Sequence, residues 1–227
     1  MTFFDQLEKE TNSERQALLN TPFIQSGVAG TLELSAYVAF LGKAYQHVKH
    51  TVPLLMACGA RLPEHLGWLR DAVGHYIEEE TGHEEWILDD IRACGWDADA
   101  IRKAAPHSST ELMLAYAYDT IARGNPVSFF GMVYVLEGTS VRVASRAAHA
   151  LQQTFGLPSK AFTYLHSHGD LDISHVQFFR NLMNRLNRDD DKVAVTHCAR
   201  MMFRLYGDIF RSLPRHATEE PVIYAAQ

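Results

Sequence analysis

The chain has 227 residues, 47% of them hydrophobic and 21% charged, and a formal net charge of −6. Such values suit a globular chain with a large core, read here as one domain over residues 1–227. A mildly acidic balance without a basic run argues against nucleic acid or an anionic membrane as the main partner.

The opening stretch MTFFDQLEKETNSERQ carries acids early and has no apolar h-region, so it does not read as a signal peptide. The longest apolar run, PVSFFGMVYVL, stops at Glu137, too short for a bilayer span. The three cysteines, Cys58, Cys94 and Cys198, are odd in number and far apart. They form neither a disulfide framework nor a CxxC site and read as buried thiols of a cytoplasmic protein.

Helical periodicity recurs along the whole chain, and no alternating strand pattern is convincing. The first predicted helix runs from about residue 2 to 20 and ends at NTPF, because a residue before proline avoids the α region. A second runs from about Thr31 to Cys58, with a kink expected at Pro53. A third covers about Pro63 to Cys94 and stops at Gly95, and a short turn follows near 98–104. The fourth begins at SSTE and ends at RGNP. The fifth runs from Pro126 to about Phe155. FGLPSK separates it from a sixth over about 160–187. Asp189 to Asp191 supply the cap and the dipole-matched acids of a seventh, which reaches about Leu213. Residues 214–227 read as a C-terminal arm. The expectation is an all-α bundle of seven helices.

Three places in this bundle carry residues that an ordinary core does not need. The most specific is HGDLDISH, residues 168–175. At about 100° per residue, Asp172 stands roughly 40° from His168, and His175 returns to roughly −20°. The three side chains share one stripe of one helix. Two imidazoles and a carboxylate suit a divalent transition metal, with non-haem iron the leading candidate. The alternative is a solvated polar stripe. His166 falls on another face.

The second place is Glu137 in VLEGTS, a carboxylate in an apolar helix. Burying it costs several kcal/mol, on the order of a lost charge pair, unless it is paired or holds a metal. An ion pair with Arg142 or another arginine is the plain alternative. The third is HYIEEETGHEEW, residues 75–86. Glu80 and His83 at i, i+3 would share a helix face, as in di-iron carboxylate bundles, and Glu79 at i−4 from His83 would also fit. The alternative is a solvated face, to which Glu78, Glu79, Glu84 and Glu85 would all belong. His47 and His50 are further possible ligands, though a polar core role is the commoner outcome. His149 and His197 look incidental. Phe129, Phe130, Met132 and Tyr134 fit either a pocket lining or plain core.

The order Glu-x-x-His, core Glu, His-x-x-x-Asp-x-x-His resembles the haem-oxygenase-like di-iron oxidases and oxygenases. These share the fold of haem oxygenase, the TenA thiaminases and pyrroloquinoline quinone synthase. EEETGHEEW, VLEGTS and HGDLDISH carry the resemblance, which covers nearly the whole chain. It implies a seven-helix TenA-like bundle, a homodimer, and two iron ions with His83, Glu137, His168, Asp172 and His175 at metal-ligand positions, to which the Glu-x-x-His spacing adds Glu80. It further implies an iron-dependent oxidoreductase that uses O2 to oxidise a small organic substrate.

There is one departure. Some relatives carry a carboxylate ligand two turns before the third-helix histidine, and here that position is Tyr76. Glu79, Glu80, His47 or His50 would have to complete that iron site. The first histidine is His47, on the second predicted helix, so the axial ligand of a haem oxygenase is missing and haem binding is not expected. The thiaminase nucleophile is missing too, since no cysteine lies between Cys94 and Cys198. A thiaminase-like or cofactor-independent enzyme of this fold, and a non-catalytic binding member, stand as the alternatives.

Overall fold

The computed structural model describes residues 1–214, except the side chains of residues 168–175. The arm from residue 215 onward lies outside the described residues. Among the described residues every regular element is helical. The architecture expected from periodicity is therefore present, but the predicted helices are divided more finely than the pattern suggested.

The first predicted helix is two helices, α1 (Phe3–Glu10) and α2 (Asn12–Leu19). Thr2 and Asp5 form a reciprocal capping box at the start of α1. The break falls at Thr11, which is fully buried and donates its hydroxyl to the Leu7 carbonyl at 2.7 Å. A side chain that satisfies the carbonyl in this way offers the chain an alternative to continuing the helix. A short helix missed by the periodicity, α3 (Pro22–Val28), starts with proline at its first position and ends before Gly30, whose φ is +69°.

The second predicted helix divides into α4 (Leu34–Val48) and α5 (Thr51–Arg61). The expected kink at Pro53 does not occur; the chain breaks at Lys49–His50 instead. Pro53 is the third residue of α5, where a backbone N–H has no intrahelical partner, so its missing donor disturbs nothing. The third predicted helix is a 3-10 turn (Glu64–Leu66), α6 (Gly67–Glu80) and α7 (His83–Ala93). The C-terminus of α7 forms as expected around Gly95. Its N–H donates to Arg92 and that of Trp96 to Ile91, the two bonds of a Schellman motif.

After α8 (Ala98–Lys103), α9 spans Ser108–Arg123, and a 3-10 turn at Pro126–Phe129 leads into the long helix α10 (Phe130–Phe155). By length and composition residues 126–155 would pass for a membrane span, yet 67% of the apolar window is buried inside the molecule. This helix is the centre of the bundle and packs on α3, on α11 (Thr163–Arg185) and on α12 (Asp189–Arg211). Its approach to α12 depends on Gly131. A Cβ there would stand 2.6 Å from the Val195 carbonyl oxygen and 2.6 Å from the Ala199 nitrogen. Asp189, Asp190 and Asp191 are the first three residues of α12 rather than its cap. Asp191 is buried and accepts from the Asn125 amide at 2.7 Å.

Candidate active site

A cavity of about 70 Å³ lies where α4, α5, α6, α10, α11 and α12 meet. Its walls are largely apolar, with Phe129, Met132, Val133 and Leu136 among them. Two carboxylates from different helices border it, Glu80 from the end of α6 and Glu137 from α10, and His47, Tyr76, Tyr164 and Tyr206 add polar edges. A mostly apolar pocket with a few converging polar groups is the usual form of a small-molecule site.

Glu80 Oε2 stands 3.1 Å from His83 Nδ1. The pair is close for a different reason from the one the spacing suggests. Glu80 and His83 do not share a helix: α6 ends at Glu80, Thr81 is extended, and Gly82 has φ +95°. Thr81 Oγ1 donates to the Ile77 carbonyl at 2.6 Å and so closes the end of α6. The left-handed residue, which glycine adopts without the usual steric penalty, turns the chain so that His83 opens α7 beside the carboxylate it has just passed. His83 is only 4% exposed and stacks on Trp86, with ring centroids 4.0 Å apart. It does not wall the cavity itself and meets it through Glu80.

The competing acids are sorted by position. Glu79 is half-buried, with Oε1 3.3 Å from His75 Nε2, and does not wall the cavity. Glu78 is exposed, and Glu85 forms a two-pronged pair with Arg102 at 2.7 and 2.8 Å. Arg142, one of the arginines offered as an alternative partner for Glu137, lies 3.3 Å from Glu8.

The two histidines of α4–α5 also part company. His47 is buried, walls the cavity and directs Nδ1 to the Lys43 carbonyl at 3.1 Å. A carbonyl can only accept, so in the neutral ring Nδ1 carries the proton and Nε2 the lone pair. His50 is directed to the Tyr118 hydroxyl at 3.0 Å instead. Of the four apolar residues that fitted lining or core, Phe129 and Met132 wall this cavity, and Phe130 is core. Tyr134 belongs to the core and to a separate void of about 150 Å³ beneath α1, where Glu137 is also a wall.

The side chains of His168, Asp172 and His175 lie outside the described residues. The helix that carries them is described: α11 runs unbroken from Thr163 to Arg185. Among the described residues no group of three or more His, Cys, Asp or Glu side chains is arranged to hold a metal ion.

Sequence reasoning passed over one residue that governs this site. Asp90 of α7 is fully buried, and its two carboxylate oxygens accept from the backbone N–H groups of Thr163 and Tyr164, at 3.0 and 2.9 Å. These are the first two amides of α11, which are left over at any helix start and attract negative charge. Burial pushes the Asp90 carboxyl up to about 6, against the opposing pull of the Tyr164 and Thr163 N–H groups. Asp90 thus ties α11, and with it the cavity wall Tyr164, to the helix that begins with His83. Its signal was legible: Asp90 stands at i+7 from His83, on the same stripe as Ile87, Ile91 and Cys94, where a solvated acid has no place.

Residues 38–207 match the model of a family described as iron-containing redox enzymes. No curated protein is similar at a significant level. Among solved structures, a domain of unknown function with a haem-oxygenase-like fold from Shewanella denitrificans superposes with a TM-score of 0.83 at 24% identity, over 92% of this chain and 90% of its own. A TenA homologue from P. horikoshii gives 0.78 at 10% identity over 93% and 97%. The haem oxygenase from Leptospira interrogans gives 0.73 at 17% identity over 94% and 100%. At these identities the likeness establishes the fold.

Proposed function

This chain belongs to the family of iron-containing redox enzymes on the haem-oxygenase-like fold, and from that premise we propose that it is a non-haem di-iron oxidase or oxygenase. It would use O2 to oxidise a small organic substrate. The observation that carries the reading is that Glu80 and Glu137, from two different helices, border one largely apolar cavity, with the His83 imidazole 3.1 Å from Glu80. Placing two carboxylates in such a setting is costly unless a cation or hydrogen bonds offset it.

The donor set fits iron: carboxylate oxygens and neutral imidazoles, with no thiolate among them. Glu80, His83 and Glu137 would hold it together with His168, Asp172 and His175 of α11. Bound iron supplies the electrons and open coordination positions for reaction with dioxygen. The chain's own residues do the rest. Phe129, Met132, Val133 and Leu136 keep bulk water from the carboxylates. The Lys43 carbonyl fixes the His47 ring so that Nε2 is the nitrogen able to accept a proton. Asp90 sets where α11 starts relative to His83.

The thiaminase-like alternative needs a thiolate at the cavity. All three cysteines are buried, none walls the cavity, and burial pushes Cys58, Cys94 and Cys198 up to about 12, 11 and 12. Such thiols stay protonated and are poor nucleophiles.

Anaerobic Fe(II) titration, with bound iron counted per chain, tests the proposal. Wild type should take up two irons with unequal affinity, the α11 group holding metal more tightly because one helix presets three of its ligands. His175→Ala should lose that iron, Glu80→Ala should weaken mainly the other, and Glu137→Ala should harm both while helical circular dichroism stays close to wild type. Wild-type iron retention by His175→Ala would reject the ligand assignment.

A further inference from the structure

Ser140, Tyr164 and Tyr206 wall the cavity that Glu80 and Glu137 border, and the same three residues wall a second cavity of about 60 Å³. The second cavity is different in character. It is bounded by residues such as Phe23, Leu32, Phe40, Val143, Leu151 and Phe210, and among the described residues no acid, base or amide side chain lines it. Three of the five hydroxyls on its walls are committed to backbone carbonyls. Tyr37 donates to the Ala161 carbonyl at 3.0 Å, Thr139 to Val135 at 2.6 Å and Ser140 to Leu136 at 3.1 Å. Hydroxyls committed to backbone carbonyls offer little to a polar ligand or a trapped water, so this space favours apolar groups.

Its direction is set by α10. Glu137, Ser140, Ala144, Ala147 and Leu151 follow one another at three or four residues and form one stripe of that helix. From Ser140 to Leu151 the stripe runs for three turns, roughly 16 Å at the rise of an α-helix. The room beside it comes from small residues, Ala144 and Ala147 on α10 and Gly27 on α3. A Cβ added at Gly27 would already meet Leu32 at 3.5 Å and Ala147 at 3.9 Å. A pair of metal ions has no use for an apolar annex of this length beside its carboxylates.

We propose that the substrate carries an unbranched aliphatic tail. The tail lies along the Ser140–Leu151 stripe, and the polar head, with the carbon to be oxidised beside it, lies in the cavity of Glu80 and Glu137. The place of the reacting carbon rests on the iron reading, whereas the seat of the tail does not.

The test uses metal-free full-length protein and titration calorimetry, so iron plays no part in the readout. The probes are three series with carboxylate, amine and alcohol heads, each running from butyl to dodecyl below the micellar range. Affinity should rise about fourfold per added methylene, the increment expected for burying one CH2, and should level off once the tail reaches Leu151. The slope should be common to the three heads. Ala147→Leu, at a half-buried position, should bring the plateau to a shorter chain without changing affinity for the butyl probes. Ala144→Phe should do so more strongly, with its melting temperature as the control for folding. A slope absent in wild type, or a plateau unmoved by Ala147→Leu, overturns the tail assignment and leaves the iron reading to its own titration. Loss of iron binding in Glu137→Ala with an unchanged chain-length slope supports both.

Discussion

Asp90 and Glu80 are carboxylates on neighbouring helices, both removed from bulk water, and the fold treats them in opposite ways. Asp90 is 0% exposed and gives both oxygens to the backbone amides that begin α11. Glu80, at 13% side-chain exposure, faces an imidazole on one side and a cavity on the other. The first acid is enclosed by the chain and can do nothing but hold it. The second has a buried partner and still borders a space that a ligand can enter. Burial of a charge alone does not separate structure from chemistry; what lies against each oxygen does.

The sharpest way to break that comparison is to remove Asp90. Asp90→Ala leaves two helix-terminal amides buried without acceptors and should lower unfolding free energy by about 3–5 kcal/mol, as when one partner of a buried pair is deleted. Urea denaturation measures it. A loss below a tenth of that range would mean that α11 is held elsewhere and that Asp90 does not order the site.

The next effect is one of pH. The Asp90 carboxyl titrates at about 6 in the folded protein, above its ordinary value of 3.8. The folded chain therefore binds this proton more tightly than the unfolded chain. Its contribution is fully present below pH about 4 and is lost as pH rises through about 6, a change on the order of 3 kcal/mol. Melting curves of the metal-free protein between pH 4 and 7 should show this fall, and Asp90→Asn should flatten it.

Gly82 tests the other carboxylate. Its φ of +95° leads from Glu80 into His83, and a Cβ there meets nothing within 4 Å. Any penalty of Gly82→Ala is thus conformational, about 1 kcal/mol. Because the strain falls between Glu80 and His83, iron retention should drop by more than so small a loss of stability suggests. Equal retention by Gly82→Ala and wild type would detach the turn from the site.

The smallest effect is expected from a pair of shorter distance than either. Arg102 and Glu85 meet at 2.7 and 2.8 Å, but both are exposed. Solvent screens such pairs, and Arg102→Ala should leave the melting temperature unchanged within error. A clear drop would show that distance, rather than burial, ranks the carboxylates of this helix.

Much of the site was open to inspection in the residues themselves. Glu80, His83 and Glu137 stand out because a carboxylate or imidazole in an apolar stretch contradicts the pattern around it, and two of the three border the cavity while the third is paired with one of them. Less was legible where the decisive contact is distant in sequence. Thr81–Gly82 looked like the interior of a continuous helix, since period and composition carry no record of a single positive φ. Pro53 looked like a kink because its distance from a helix start was unknown. For Asp90 the stripe marks an inward position but not what it binds, since those amides lie 73 and 74 residues away.

The all-α class, the placement of the principal helices, the Gly95 stop and the ionisable residues too costly to bury for nothing were all legible along the chain. All of these follow from periodicity, backbone sterics and desolvation, which act within a few residues. Tertiary packing settles which acid of the EEE run borders the cavity, which of His47 and His50 reaches it, and that a second, largely apolar cavity beside α10 shares three of its walls. Those outcomes depend on how helices far apart in the chain pack together, and the residues that choose between them are each other's neighbours only after folding.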